Sequence, residues 1–354
     1  MDRKARVQVA ADADLVVFDP ATVAPRGGYR ELRPSRGFEH VIVGGVRTVM
    51  DGRGPRRCPG RVSERVGRVE PVQSTVHSAS LSHPASGRPV RIGVQLSPQH
   101  ATYAQLRDAV LRAEDLGVDA VFNWDHFFPL TEPLDAPHFE AWTMLAAWAE
   151  QTERVEFGPL VNCNSYRNPD LQADMARTID HISAHGTGVG RFIFGTGSGW
   201  AERDYLEYGY EFGTVGSRLD ALAADLPRVR ARWEKLDPPP TRRIPVLIGG
   251  QGERKTLRLV ARHADIWHTF TRLDDLPRKI GVLHDWCARE GRDPAEIELS
   301  TGFTLRRPLQ MTDDLLDAWH AVGVRLVIPS LDGPDYDLSM VKPLLEWRDR
   351  VNES

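Results

Sequence analysis

Residues 91–127 read RIGVQLSPQHATYAQLRDAVLRAEDLGVDAVFNWDHF, and their pattern decides the fold. RIGVQL (91–96) is a short, nearly continuous apolar run, as a strand buried on both faces requires. In YAQLRDAVLRAEDLG the apolar residues Leu106, Val110, Leu111, Ala113 and Leu116 recur at three and four, the period of a helix with one buried face. AVFNWDHF then returns to a strand-like run.

The unit repeats toward the C-terminus. VEFGPLVN precedes PDLQADMARTIDHIS, RFIFGTGSG precedes a helical stretch ending in RLDALAADLPRVRARWE, and PVLIGG precedes ERKTLRLVARHA. DIWHTF, IELSTGF and RLVIPSL are followed in the same way by LPRKIGVLHDWCAREG, TDDLLDAWHAVG and DLSMVKPLLEWRDRV, and HFEAWTMLAAWAEQT follows AVFNWDHF. About eight strand–helix units over about 260 residues is the size and count of a (β/α)8 TIM barrel. A doubly wound open sheet is the competitor. Eight units with no long extra domain favour closure.

The chain has 354 residues, 41% hydrophobic and 27% charged, with 45 Lys and Arg against 49 Asp and Glu, a net charge of −4. That balance supplies no overall positive field for nucleic acid. Cys58, Cys163 and Cys287 are far apart with no C-x-x-C spacing, so neither a disulfide framework nor a zinc ribbon is signalled. The N-terminus lacks an apolar h-region, and no window approaches the roughly 18 apolar residues of a membrane span. A cytoplasmic protein with no membrane partner is expected.

Composition shifts near residue 88. Residues 1–90 hold about fifteen Arg or Lys against about nine Asp or Glu, so this part is basic and the remainder acidic. ADLVVFDP (13–20) and HVIVGGVRTVMDG (40–52) read as strands, the second broken by Gly44-Gly45 as by a hairpin turn. The expected division is a β-rich segment over 1–59, a Ser/Pro/Gly/His-rich linker over 60–89 and the barrel over 90–354.

Barrels of this type bind ligands where the βα loops meet, at the C-terminal ends of the strands. The second strand ends Asn123-Trp124-Asp125-His126-Phe127. An imidazole exchanges protons near neutral pH, and the adjacent carboxylate can orient it. The plainer account is that Asp125 caps the loop and His126 is an ordinary partly buried histidine. The third strand runs from Leu160 through Asn162, Cys163, Asn164, Ser165, Tyr166 and Arg167 to Asn168-Pro169, a polar wall. Its last two residues also read as N-cap and N1 of a helix. Nothing in the sequence poises a base beside Cys163, so packing is its expected role. GTGSGW (195–200) and GGQGERK (249–255) are Gly-rich turns that open helices, suited to a phosphate on a flat cofactor, with Arg254 and Lys255 adding charge. Tight turns alone account for either loop. His181 and His185 have i, i+4 spacing but lack the Glu of H-E-x-x-H, so no metal is expected. Trp142, Trp148, Trp233, Trp286, Trp319 and Trp347 read as packing residues, whereas Trp124, Trp200 and Trp267 at strand ends are placed to stack on a ring.

D-H-F (125–127), S-Y-R-N-P (165–169), D-H-I-S followed by G-R-F-I-F-G-T-G-S-G-W, and I-G-G-Q-G-E-R-K-T-L before R-H-A-D occur in that order. On these motifs residues 91–351 resemble the bacterial luciferase-like oxidoreductases, in the branch using the deazaflavin coenzyme F420. The resemblance implies a barrel holding the deazaflavin at the strand C-termini, hydride transfer at its C5 and a small-molecule substrate. It implies His126 as the proton-transfer residue and a non-prolyl cis bond at Leu160-Val161. Asp125, Leu160, Val161, Cys163, Arg203, Gly249, Gly250, Gln251, Gly252 and Lys255 are the implied cofactor contacts, with residues 249–255 at its phosphate. Barrels of this kind commonly pair, so a homodimer is expected.

The chain departs from the glucose-6-phosphate dehydrogenases of that branch. Trp200 stands where they carry an acid, and Leu130 where they carry a tryptophan, which leaves the substrate open. An FMN-dependent monooxygenase on the same barrel is the alternative. ADADLVVFDPATV and FEHVIVGGVRTVMDG resemble the C-terminal tail of the D-aminoacylase group of amidohydrolases, but none of that family's metal-binding segments is present. The segment reads as a fused remnant, and a metal-dependent amidase is the second alternative.

Overall fold

The computed structural model describes residues 15–18, 38–43, 46–50, 87–304 and 312–354. The chain divides into two units, residues 1–79 and 80–354. In the first, β1 (Leu15–Phe18), β2 (Phe38–Val43) and β3 (Val46–Met50) form an antiparallel sheet in that order. Val43 pairs with Val46 across β2 and β3, the hairpin expected around Gly44-Gly45. Of the linker expected over 60–89, residues 60–86 lie outside the described residues.

In the second unit the repeats become β4 (Arg91–Leu96), α1 (Tyr103–Leu116), β5 (Ala120–Asn123), α2 (Ala141–Gln151), β6 (Glu156–Pro159), β7 (Asn162–Cys163), α3 (Pro169–Ile182), β8 (Phe194–Gly197), α4 (Glu202–Tyr208), α5 (Val215–Trp233), β9 (Val246–Gly249), α6 (Thr256–His263), β10 (Ile266–Thr269), α7 (Leu276–Glu290), β11 (Glu298–Thr304), α8 (Asp313–Ala321), β12 (Val324–Leu331) and α9 (Lys342–Glu353). The strands pair in parallel in the order β6-β5-β4-β12-β11-β10-β9-β8-β7. β6 and β7 are two halves of one strand, interrupted at residues 160–161. The two ends of the order therefore belong to one segment, and eight strands make a (β/α)8 TIM barrel.

Side-chain alternation fills two cores. Ala120, Phe122, Ile193, Leu247, Leu326 and Ile328 point into the barrel. Residues of opposite parity, such as Val94, Phe157, Val246 and Trp267, pack outward against the helices. Local chemistry fixes the helix ends. Thr102 and Gln105 form a capping box for α1, and Gly117 closes it in the left-handed region. Asn168 caps α3 with Pro169 at its first turn, as the sequence predicts. At the N-terminal end of the strands Arg91 pairs with Glu298 at 2.6 Å and Glu156 at 2.5 Å, a stabilising contact on the face away from the ligand loops. No helix among the described residues is long and apolar enough to cross a membrane.

Candidate active site

Because all the strands run parallel, the loops after β5, β7, β8, β9 and β10 converge on one face. There they enclose a cavity of about 540 Å³. Among the residues lining it are Asp125, His126, Leu160, Val161, Cys163, Gly249, Gly250 and Gln251, eight of the positions singled out from the sequence. Trp124, Leu130, Trp200 and Phe270 add apolar surface. Trp200 and Phe270 are 66% and 59% exposed, so a bound molecule has bare aromatic faces to cover.

His126 follows β5, and its Nδ1 lies 2.6 Å from Asp204 Oδ2 on α4. The Tyr166 hydroxyl donates to the same oxygen at 2.9 Å, and the Phe127 amide donates to Oδ1 at 3.2 Å. Burial alone would raise the Asp204 carboxyl, but His126 and these donors outweigh it, and its pKa lies below the ordinary carboxylate value. An ionised Asp204 fixes the proton of His126 on Nδ1 and leaves Nε2 for the cavity. His126 sits edge-on to two indoles, with ring centroids 6.4 Å from Trp124 and 5.4 Å from Trp200. The Trp124 N–H donates to His138 Nε2 at 3.1 Å. Burial, reinforced by His126, pushes His138 down to about 4, which keeps it a neutral acceptor.

Asp125 plays a different part from its neighbour. Arg167 grips it with two bonds, 2.7 Å to Oδ2 and 3.0 Å to Oδ1, and the Cys163 amide donates to Oδ2 at 3.1 Å. Arg167 also donates to Glu140, which caps α2. Burial disfavours the Arg167 cation, yet the two carboxylates hold its pKa above the usual value. Burial pushes the Asp125 carboxyl above its ordinary value, and Arg167 and the Cys163 amide only partly offset this, so Asp125 lines the mouth with its oxygens already engaged. The polar wall is tied down in the same way: Asn162 accepts from Trp142 and donates to Gln172, and Asn164 donates to Asp225. Burial pushes the Cys163 thiol up to about 11, and its sulfur meets the Tyr205 hydroxyl at 3.1 Å, the packed state expected for it.

The break between β6 and β7 forms the floor. Leu160-Val161 is a cis peptide, at the bond that the sequence resemblance implies. Gln95 donates to the Leu160 carbonyl at 2.7 Å and accepts from Ser330 at 2.6 Å, locking the floor to β4 and β12. A Cβ at Gly197 would come within 2.8 Å of Val161, and one at Gly249 within 2.9 Å. Val161 therefore needs both glycines, which gives them a reason besides ligand approach.

Three of the singled-out positions are not among the lining residues: Arg203, Gly252 and Lys255. Arg203 turns outward, stacking its guanidinium 4.0 Å from the Phe128 ring and donating to Leu134. Its neighbour Asp204, about 100° further round the helix, holds the inward place, for which the sequence carries no local signal. Lys255 pairs with Asp220 at 2.5 Å on the surface. Trp267, expected to be available for stacking, is fully buried and donates its N–H to Gly250 at 2.8 Å, so it supports the turn from behind. His181 and His185 bond to separate carbonyls, Pro239 and Ala149. No group of three or more metal-ligating side chains stands together among the described residues.

The sequence profile of the luciferase-like monooxygenases matches residues 86–346. The F420-dependent glucose-6-phosphate dehydrogenase of Amycolatopsis mediterranei is 32% identical over 146 residues, covering 41% of this chain and 42% of that enzyme, less than half its length. Among solved structures, an F420-dependent secondary alcohol dehydrogenase in complex with an F420-acetone adduct superposes with a TM-score of 0.62 at 17% identity, over 75% of this chain and 98% of the other. The EDTA monooxygenase of a Chelativorans species gives 0.58 at 11% identity, over 75% and 94%. At such identities the structural likeness is one of fold. The profile, however, takes in the barrel from β4 into α9, and the chain belongs to the luciferase-like monooxygenase family.

Proposed function

We propose that this chain is an oxidoreductase that binds coenzyme F420 and moves a hydride between its C5 and a small organic substrate, with His126 as the acid or base. The observation that carries this reading is the His126–Asp204 pair at the mouth of a cavity whose volume suits a ligand site. The sequence relatives named for F420 support the choice of coenzyme.

The lining fits a flat heteroaromatic group. Val161, Gly197 and Gly249 present backbone and small apolar surface, and buried His268 keeps an unpartnered Nε2 in the wall. When bound, a deazaflavin supplies a hydride donor or acceptor at C5. The floor and the glycine-rich turns after β8 and β9 would hold its ring, and the aromatic rim would exclude water. His126, oriented through Nδ1 by Asp204, takes or gives the substrate proton at Nε2. That group works only within hydrogen-bond reach of the reacting atom, so a substrate would have to reach His126 beside Trp124 and Trp200.

Titration of the purified protein with coenzyme F420 and with FMN tests the reading. Coenzyme F420 is expected to bind and to change its absorbance when a substrate is turned over. Tight FMN binding with no response to F420 would reject the proposal in favour of an FMN-dependent monooxygenase.

A further inference from the structure

The cavity contains a second histidine that the proton chemistry does not use. His268 lies on β10, paired with Gly249 of β9 on one side and Ser300 of β11 on the other. In an eight-strand ring with the pairing order above, β10 stands four strands from β5 in either direction, so His268 faces the cavity from the side opposite His126. It lines the cavity and is 2% exposed. Its Nδ1 is 2.9 Å from Ser300 Oγ, whereas its Nε2 is buried with no hydrogen-bond partner among the described residues.

The surroundings are shaped to keep the ring there. A Cβ at Gly302 would come within 2.8 Å of the Ile328 carbonyl oxygen, 3.0 Å of His268 Cε1 and 3.1 Å of Phe270 Cε1, so glycine on β11 relieves the β12 backbone first and the imidazole with it. Phe270 meets the imidazole edge to face, with centroids 5.0 Å apart. Nδ1 and the Ser300 hydroxyl share one hydrogen bond whose direction follows the ring tautomer; with the hydroxyl donating, the ring proton is left on Nε2. Burial pushes the pKa of His268 down to about 3, so the ring is neutral where His126 works. A buried donor without an acceptor costs stability.

We infer that His268 is a ligand-binding residue whose Nε2–H donates to an acceptor, a ring carbonyl oxygen or ring nitrogen, on the flat heteroaromatic group held in the cavity. This rests on the cofactor reading above. The residue trades stability of the empty protein for affinity.

The test measures coenzyme F420 and FMN affinity by fluorescence titration, together with the melting temperature of the cofactor-free protein, for the wild type, H268L and S300A. For H268L the expected result is at least tenfold weaker binding with an unchanged or higher melting temperature. S300A lets the ring proton move to Nδ1 and is expected to weaken binding at least threefold. It is a small change that keeps the test open should H268L not fold. Wild-type affinity in a folded H268L, or in S300A where H268L does not fold, overturns the inference while leaving the cofactor reading intact. A wild type that binds neither cofactor overturns both.

Discussion

His126 and Asp204 stand 78 residues apart in sequence and 2.6 Å apart in space, Nδ1 to Oδ2. One comes from the loop after β5 and the other from α4, so the contact exists only once the barrel has closed. It selects the tautomer of His126 that carries its proton on Nδ1 and leaves Nε2 for the cavity. The Tyr166 hydroxyl and the Phe127 amide hold the carboxylate from the other side, and the pair behaves as one positioned group.

Replacing Asp204 by Asn keeps the shape and removes the charge that selects the tautomer. Turnover is expected to fall roughly tenfold to a hundredfold, part of the ~10²–10⁴ that a positioned acid or base contributes. The acid limb of stability gives an independent readout. The Asp204 carboxyl is depressed in the folded state, so its contribution is present above the unfolded carboxylate pKa and is lost as pH falls through the folded value. D204N is therefore expected to melt with a flatter acid dependence than the wild type. An unchanged acid limb and unchanged turnover would together remove Asp204 from the site.

His126→Ala removes the proton carrier and leaves the cavity floor in place. Turnover is expected to drop by roughly 10²–10⁴-fold, while cofactor affinity stays within a few fold of wild type. Parallel binding titrations and steady-state rates separate the two effects. A variant that turns over at the wild-type rate would assign the proton step to another group.

The barrel was legible because each strand and each helix carries its own period, and so was the mouth, because parallel strands put their C-terminal loops on one face. His126 could be picked out because D-H-F ends a strand. Asp204 could not, since ERDYLEY on α4 offers several charged residues and only the helix's orientation against the loop after β5 selects one. Arg203 was singled out beside it and faces solvent. Glycine-rich turns suggest room for a ligand at Gly197 and Gly249, whereas Val161 fills the space beside them. Trp267 lies inside β10 and Trp124 just past the end of β5, and side-chain parity sends Trp267 to the outer core. His268 gave no local signal, because its unmet nitrogen is a property of three strands together.

The Arg167–Asp125 pair predicts a stability defect rather than a chemical one. Asp125 is fully buried and Arg167 is the cation that compensates it. Removing one partner of such a pair costs about 3–5 kcal/mol, and Arg167→Met is expected to lower the urea midpoint accordingly. Arg167→Lys recovers only part of this, because an ammonium cannot make the two parallel bonds. Equal stability of R167K and wild type in equilibrium unfolding would show that the fork geometry is dispensable.

Val161 and Gly249 supply the last test, one that separates packing from ligand approach. If Gly249 is glycine because Val161 fills the space above it, Gly249→Ala crowds the floor and costs about 1–3 kcal/mol. The cost should shrink when Val161 is cut back to Ala, since the clash is with its side chain. The two substitutions are then expected to be non-additive in a double-mutant cycle of unfolding free energies, with the double variant more stable than the sum predicts. If glycine is required only by a bound ligand, G249A leaves the stability of the cofactor-free protein unchanged and V161A does nothing to rescue binding.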